Sequence, residues 1–270
     1  MSIITISRGT FSGGEKLAES LAEKLGYRSL SREILVKAAE KYGISEEKLY
    51  SAVTSKISMK EWLAIDIDRF RYLSFIQSAL CEEAKKDNII YHGHTGHLLL
   101  KGISHVLKIK VTASMEQRVI FAMERNKLTR EQAINYIEAV DGQREKWTKF
   151  LYDVDWNDLS LYDIVINLEQ ITIQDACDMI GIAIQMPAFQ ADEASRKSME
   201  NLTIGSRVKA ALAYDESTKD LNVEVSADNG SITLEGKVKN MEDTDNIEKV
   251  AKSVPGIKKV ICNCRPLYIN

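Results

Sequence analysis

The sequence predicts an α/β fold, a parallel sheet with helices on both faces, followed by a small α+β domain of order αββαβ. Three observations carry this reading. A β-prone run, Ser2–Ser7, breaks into a glycine-containing turn and then a helix; strand and helix signals alternate through the first two thirds of the chain; and near the C-terminus the pattern changes to period-two alternation about a tight turn.

Composition sets the outer bounds. With 270 residues, 44% of them hydrophobic, the chain can bury a large core as one large domain with a small one, or as two of middling size. Lys and Arg number 36 against 39 Asp and Glu, and a formal charge of -3 gives no long-range attraction to nucleic acid or acidic membranes. The expectation is no nucleic acid partner. Met1 leads straight into Ile3, Ile4 and Ile6 with no basic lead or cleavage site, and even Met59–Ala84 carries Asp66, Asp68, Arg69, Arg71, Glu82 and Glu83, so neither export nor a transmembrane segment is expected. Cys81, Cys177, Cys262 and Cys264 are too scattered for a disulfide framework, which fits a reducing cytoplasm.

In order along the chain, Ser12 is placed to cap the first helix, whose apolar face is Leu17, Ala18, Leu21, Ala22 and Leu25, and Gly26 stands where helices stop. Helices are predicted over Ser31–Lys41, Ser45–Val53 and Met59–Lys86. In the last of these, Trp62, Leu63, Phe70, Leu73, Phe75, Ile76 and Leu80 recur at helical spacing; core packing explains most of them, and a surplus on the outer face would support a homodimer. Buried-strand signals at Asn88–Tyr91, His105–Val111 and Asp163–Asn167 are separated by the helical stretches Ser114–Arg125 and Arg130–Phe150.

After Ala183 the composition shifts. Pro187, several charges and little periodicity read as a linker over 188–204, between a first domain of 1–187 and a second of 205–270. In the second domain Leu221, Val223 and Val225 alternate with polar residues, and Asp228-Asn229-Gly230 signals a hairpin with a G1-like or type I′ turn. Ile232, Leu234, Gly236 and Val238 form its second strand. A helix with Ile247, Val250, Ala251 and Val254 ends at Pro255-Gly256, and Ile257–Cys264 makes a third strand.

Chemistry enters at the first turn. From Ile3 to Ala18 a strand, a glycine-containing loop and a helix N-terminus follow in the order that a phosphate site needs. Free N–H groups of a first helical turn carry about half a positive charge, and glycines at 13 and 14 let an anion approach without meeting a β-carbon. Arg8, Ser12, Gly13, Gly14, Glu15 and Lys16 are the candidates for phosphate or nucleotide binding. A strand-to-helix turn that merely needs glycine accounts for the same residues.

The run Ile4-Thr5-Ile6-Ser7-Arg8, then Ser12-Gly13-Gly14, Leu17-Ala18, Leu25-Gly26-Tyr27 and Arg32-Glu33-Ile34, resembles the opening of the cytidylate-kinase-like family of P-loop nucleoside monophosphate kinases. Downstream, Ala113–Arg118, Met123-Glu124-Arg125, Asp141 with Arg144, Asp155-Trp156 and Tyr162–Asn167 keep that family's order, so the resemblance runs from Ser2 to about Ile184. It implies ATP- and Mg2+-dependent phosphoryl transfer to CMP or a related nucleoside monophosphate. Lys16, Arg118, Arg125 and Arg144 would be the catalytic cations, with Arg32 and His94 on the substrate side.

Several positions depart from the family pattern. Spacing from Gly9 and Gly14 puts Glu15 where the P-loop Lys belongs, whereas family similarity puts it at the hydroxyl position; Lys16 comes one residue late. In Tyr91-His92-Gly93-His94-Thr95-Gly96, His94 stands for an Arg and Thr95 for an Asp, and Ser31 stands for an Asp before Arg32. The alternative is therefore a catalytically inactive, nucleotide- or phosphate-sensing pseudokinase.

His92, His94, His97 and His105 fall in one region without carboxylate or cysteine help nearby, which suits a polar cleft lining better than a metal site. The C-terminal pattern, Val223 and Val225, then Asn229-Gly230 with Ile232, Leu234, Gly236 and Val238, then Val254-Pro255-Gly256-Ile257 and Val260, resembles a BON domain. That resemblance implies a ligand or protein partner for an interaction module.

Overall fold

The β-branched run Ile3-Ile4-Thr5-Ile6 favours extended backbone and becomes the central strand β1 (Ile3–Arg8). The computed structural model describes residues 2–31, 59–93 and 95–266, with backbone alone for 59–70, 72, 147, 150 and 151. Arg32, His94, the predicted helix Ser45–Val53 and all of the predicted helix Ser31–Lys41 except Ser31, which ends a strand instead, lie outside the described residues, as do the side chains of Trp62, Leu63 and Phe70. The chain divides into two compact units, Met1–Arg32 with Lys86–Asp192, and Glu33–Lys85 with Glu193–Asn270.

The elements in chain order are β1, α1 (Gly14–Leu25), β2 (Arg28–Ser31), α2 (Met59–Ala84), β3 (Ile89–His92), α3 (Gly96–Leu99), β4 (Val106–Thr112), α4 (Met115–Asn126), α5 (Arg130–Tyr152), β5 (Ile164–Asn167) and α6 (Ile173–Ala183). Then come α7 (Glu193–Tyr214), β6 (Val223–Asp228), β7 (Ser231–Val238), α8 (Met241–Ser253) and β8 (Lys259–Pro266). No helix among the described residues is long and apolar enough to cross a membrane.

In the first unit, a five-stranded sheet has the order β2-β3-β1-β4-β5, and every pair in it is parallel. Such strands need both faces covered. On one face Ile4, Ile6, Leu107, Ile109 and Val111 pack against Leu17 and Leu21 of α1 and Ala176, Cys177 and Ile180 of α6. Each large aliphatic side chain buried there contributes about 1.5–3 kcal/mol.

The opposite face is polar near the carboxyl end of the strands. Ser7 stands beside Lys110 in the register of β1 and β4. Lys110 Nζ donates to the Trp156 carbonyl at 3.1 Å and to Asn157 Oδ1 at 2.9 Å, and lies 5.0 Å from the centre of the Trp156 ring. Trp156 Nε1 donates to Ser7 Oγ at 2.8 Å. Burial pushes the Lys110 ammonium's pKa down, opposed by Asp155, Glu145 and Asp141.

Helices α4 and α5 form a hairpin of their own, sealed by Val119, Ala122, Ala133 and Ile137. Ser114 caps α4 by accepting from Gln117 N–H, and Thr129 with Gln132 makes a capping box on α5.

In the second unit, β6-β7-β8 form a sheet whose inner face packs Ile232, Leu234 and Val238 against Val208 and Leu212 of α7 and Ile247 and Ala251 of α8. Asn229 and Gly230, with φ of 51° and 81°, join Asp228 to its partner Ser231, so the hairpin takes the type I′ form. Residues 188–204, read as a linker from sequence, hold the end of the 3-10 turn Pro187–Phe189 and the first half of α7. Helix α2, included in 1–187 by sequence, runs along α7: Arg207 Nη2 donates to Glu82 Oε2 at 2.8 Å, and Arg71 Nε to the Ala213 carbonyl at 2.8 Å.

Candidate phosphate-binding site

Between β1 and α1 the backbone winds through two left-handed residues, Phe11 (φ 58°) and Gly13 (φ 81°). Gly13, not Ser12, is the N-cap of α1. The winding places Ser12 in the interior, 1% exposed, with its Oγ bonded to nothing among the described residues, so its predicted capping bond is absent. Gly14 has no room for a side chain: a Cβ there would sit 2.8 Å from Arg8 Cβ and 3.3 Å from Val111 Cβ.

Backbone hydrogen bonds set the loop's outline. Ser12 N–H bonds to the Gly9 carbonyl at 3.2 Å and Leu17 N–H to the Gly13 carbonyl at 3.1 Å. The amides of Gly13, Gly14, Glu15 and Lys16 find no acceptor among the described residues. They head a twelve-residue helix, the arrangement in which amide dipoles attract an anion.

Ser12, Gly13, Glu15 and Lys16 line a cavity of about 970 Å³. Its basic wall is Arg8, Lys16, Arg125 and Arg144, and its apolar wall includes Phe11, Phe121, Tyr136 and Leu168. The Phe11 and Tyr136 rings stand 6.0 Å apart and tilted. Arg125 Nη1 donates to Glu15 Oε2 at 2.8 Å, and Arg8 Nη2 lies 3.9 Å from the same oxygen. The Arg125 hydrogen bond, with help from the charges of Arg8 and Arg125, holds the Glu15 carboxyl below its ordinary pKa against the opposing effect of burial. Lys16 is exposed at the rim and makes no ion pair among the described residues.

The remaining predicted cations have other tasks. Arg118 Nε donates to the Thr10 carbonyl at 2.8 Å, its guanidinium pairs with Asp141, and it lies flat over Gly9, where a Cβ would stand 3.4 Å from Arg118 Cζ. It braces the loop from outside the cavity lining. Arg144 does both, lining the cavity while Nη1 donates to the Arg8 carbonyl at 3.2 Å and Thr10 Oγ1 at 3.0 Å. Sequence reasoning missed Thr10, Phe11 and the bracing role of Asp141; the Asp141 and Arg144 spacing was the one available signal.

The described histidines, His92, His97 and His105, do not line this cavity. His97 is buried with its ring centre 4.7 Å from that of Tyr162, and His105 Nε2 lies 3.4 Å from Asp87 Oδ1. Among the described residues, no three His, Cys, Asp or Glu side chains are grouped to hold a metal ion.

Residues 3–170 match the sequence profile described as the cytidylate kinase-like family. The chain belongs to that family. Residues 201–265 match the BON domain profile. The cytidylate kinase of Staphylothermus marinus is 27% identical over 181 residues, 67% of this chain and 94% of that protein. That of Sulfurisphaera tokodaii is 29% identical over 172 residues, covering 63% and 87%. Among solved structures, an uncharacterized protein from Eubacterium ventriosum superposes with a TM-score of 0.54 at 21% identity over 68% of this chain and 98% of that one, a likeness of fold. This cytidylate kinase-like chain thus pairs a bare-amide helix start with a carboxylate, Glu15, as the first side chain of the helix.

Proposed function

We propose that the first unit binds a nucleotide by its phosphates and transfers the terminal phosphoryl group of ATP to CMP or a related nucleoside monophosphate, with Mg2+. The observation that carries this reading is the set of amides at Gly13–Lys16 without an acceptor among the described residues, at a helix start where Ser12, Gly13, Glu15 and Lys16 line a cavity with a basic wall. Amides and the Ser12 hydroxyl would hold the β-phosphate, while Lys16 and Arg125 would meet the outer phosphates and Arg144 the group in transit. The Phe11, Phe121, Tyr136 and Leu168 wall would exclude water and receive apolar surface of the ligand. Glu15 would hold Mg2+ carried in with the nucleotide, which would supply counter-charge to the phosphates. Arg32 and His94 are assigned to the acceptor side by the family pattern.

A second reading, a nucleotide- or phosphate-sensing pseudokinase with the BON domain as its interaction module, is favoured by one observation: Arg118 and Arg144 are already bonded to the loop. Purified chain incubated with ATP, Mg2+ and each nucleoside monophosphate distinguishes the two. The kinase reading predicts diphosphate formation that Arg144→Ala lowers at least about a hundredfold. The sensing reading predicts thermal stabilisation by nucleotide without turnover.

A further inference from the structure

The phosphate end of the cavity is not a simple basic cradle. Glu15 opens α1, its side chain 34% exposed, and Arg125 donates to it at 2.8 Å. Arg125 itself is 65% exposed and Arg8 22%, so the carboxylate is the better anchored partner of the more exposed cation. An incoming phosphate that takes Arg125 must release Glu15, which then remains beside the same unbonded amides as a second anion.

We propose that Glu15 is a charge gate: its carboxylate lets in a polyphosphate that brings a divalent cation and turns away the bare anion. Glu15 would offer a carboxylate oxygen to a divalent ion arriving with the ligand, and the ion's charge would remove the conflict. Without one, Glu15 competes with the ligand for Arg125 and repels it at close range. The buried Ser12 hydroxyl, without a partner among the described residues and on the same cavity lining as Glu15, marks the cavity as built for a polar ligand. This inference rests on the nucleotide-binding reading above and adds the residue that makes that binding depend on the cation.

Calorimetric titration of the full chain with ATP, in EDTA and again in excess Mg2+, tests it with Glu15→Gln, Glu15→Asp and Glu19→Gln alongside. In the wild type Mg2+ tightens ATP binding at least about tenfold. Glu15→Gln keeps an acceptor for Arg125, tightens metal-free ATP about tenfold and shrinks the Mg2+ effect to within about threefold, whereas Glu15→Asp and Glu19→Gln keep the wild-type ratio. An unchanged ratio in Glu15→Gln, or an equal change in Glu19→Gln, overturns the gate. If the wild type binds ATP equally well with and without Mg2+, the gate fails and nucleotide binding stands; if it binds in neither condition, both fail.

Discussion

Asp141 of α5 accepts two hydrogen bonds from Thr10, one from the backbone amide at 3.0 Å and one from the hydroxyl at 2.7 Å. The carboxylate also pairs with Arg118, whose Nε reaches the Thr10 carbonyl, and lies 3.5 Å from Arg144 Nη1. One acidic side chain thus supplies what a short, tightly wound loop lacks, an acceptor for its own amide and a counter-charge for the cations that brace it. Phe11 adds an apolar tie by packing on the cluster of Val119, Ala122, Ala133 and Ile137.

Asp141→Ala therefore removes more than one bond. It leaves Arg118, whose side chain is 13% exposed, without its carboxylate and the Thr10 amide without an acceptor. The expected cost is about 2–4 kcal/mol in urea unfolding, with weaker ATP binding than any simple loss of surface charge produces. A change under about 0.5 kcal/mol shows that the loop is held by other means.

Two glycine substitutions should move in opposite directions. Gly14→Ala forces a methyl group against Arg8 and Val111 and should destabilise by about 1–3 kcal/mol. Gly142 lies inside α5 with nothing within 4 Å of a Cβ, so Gly142→Ala should stabilise by about 0.5–1 kcal/mol through helix propensity. Equal effects at the two sites in chemical denaturation would remove the close-packing argument for Gly14.

His97 gives a pH-dependent prediction. Burial, then the charges of Lys108 and Lys110, lowers its pKa from 6.5 to about 4, and neither ring nitrogen has a hydrogen-bond partner among the described residues. Between those values the unfolded chain takes up a proton that the folded chain refuses, so stability falls as pH drops through 6.5 towards 4, by up to about 1.4 kcal/mol per pH unit. His97→Leu should flatten that slope and hold or raise stability at pH 7, because no native bond is lost. Urea midpoints at pH 7.5 and pH 5 provide the comparison, and an unchanged slope in the variant places the titration elsewhere.

How much of this was readable from residues alone varies with the range of the interaction. The first strand, its glycine turn and α1 follow from local signals, since β-branched residues, glycine and helical spacing act over a few positions. The Asn229-Gly230 hairpin is local for the same reason. The first half of helix α7 was not legible: the αββαβ order called for a helix ahead of the hairpin, but residues 193–204 read as linker. Its inner positions include Ser195, Thr203, Gly205 and Ser206, which are buried although polar or small. Thr203 and Ser206 satisfy their hydroxyls on the Met199 and Thr203 carbonyls at 2.7 Å and 2.8 Å, so no continuous apolar stripe announces the helix ahead of Val208 and Leu212. Its partnership with α2 depends on Glu82 and Arg207, far apart in sequence and individually indistinguishable from surface charges.

In the candidate site, the glycine loop and the helix start were readable because they lie side by side in sequence. The division of labour among the arginines was not. Arg118, Arg125 and Arg144 look alike at helical spacing, and only the fold shows Arg118 bonded to the Thr10 carbonyl and Arg125 facing Glu15.

The most direct test of the account is a titration of the isotope-labelled chain with Mg-ATP, followed through its backbone amide resonances. Open amides aimed at a phosphate predict large, saturable shifts at Gly13, Gly14, Glu15 and Lys16, with none at the Asn229-Gly230 turn of the second unit. Saturating shifts elsewhere in the chain that leave Gly13–Lys16 unmoved would contradict it.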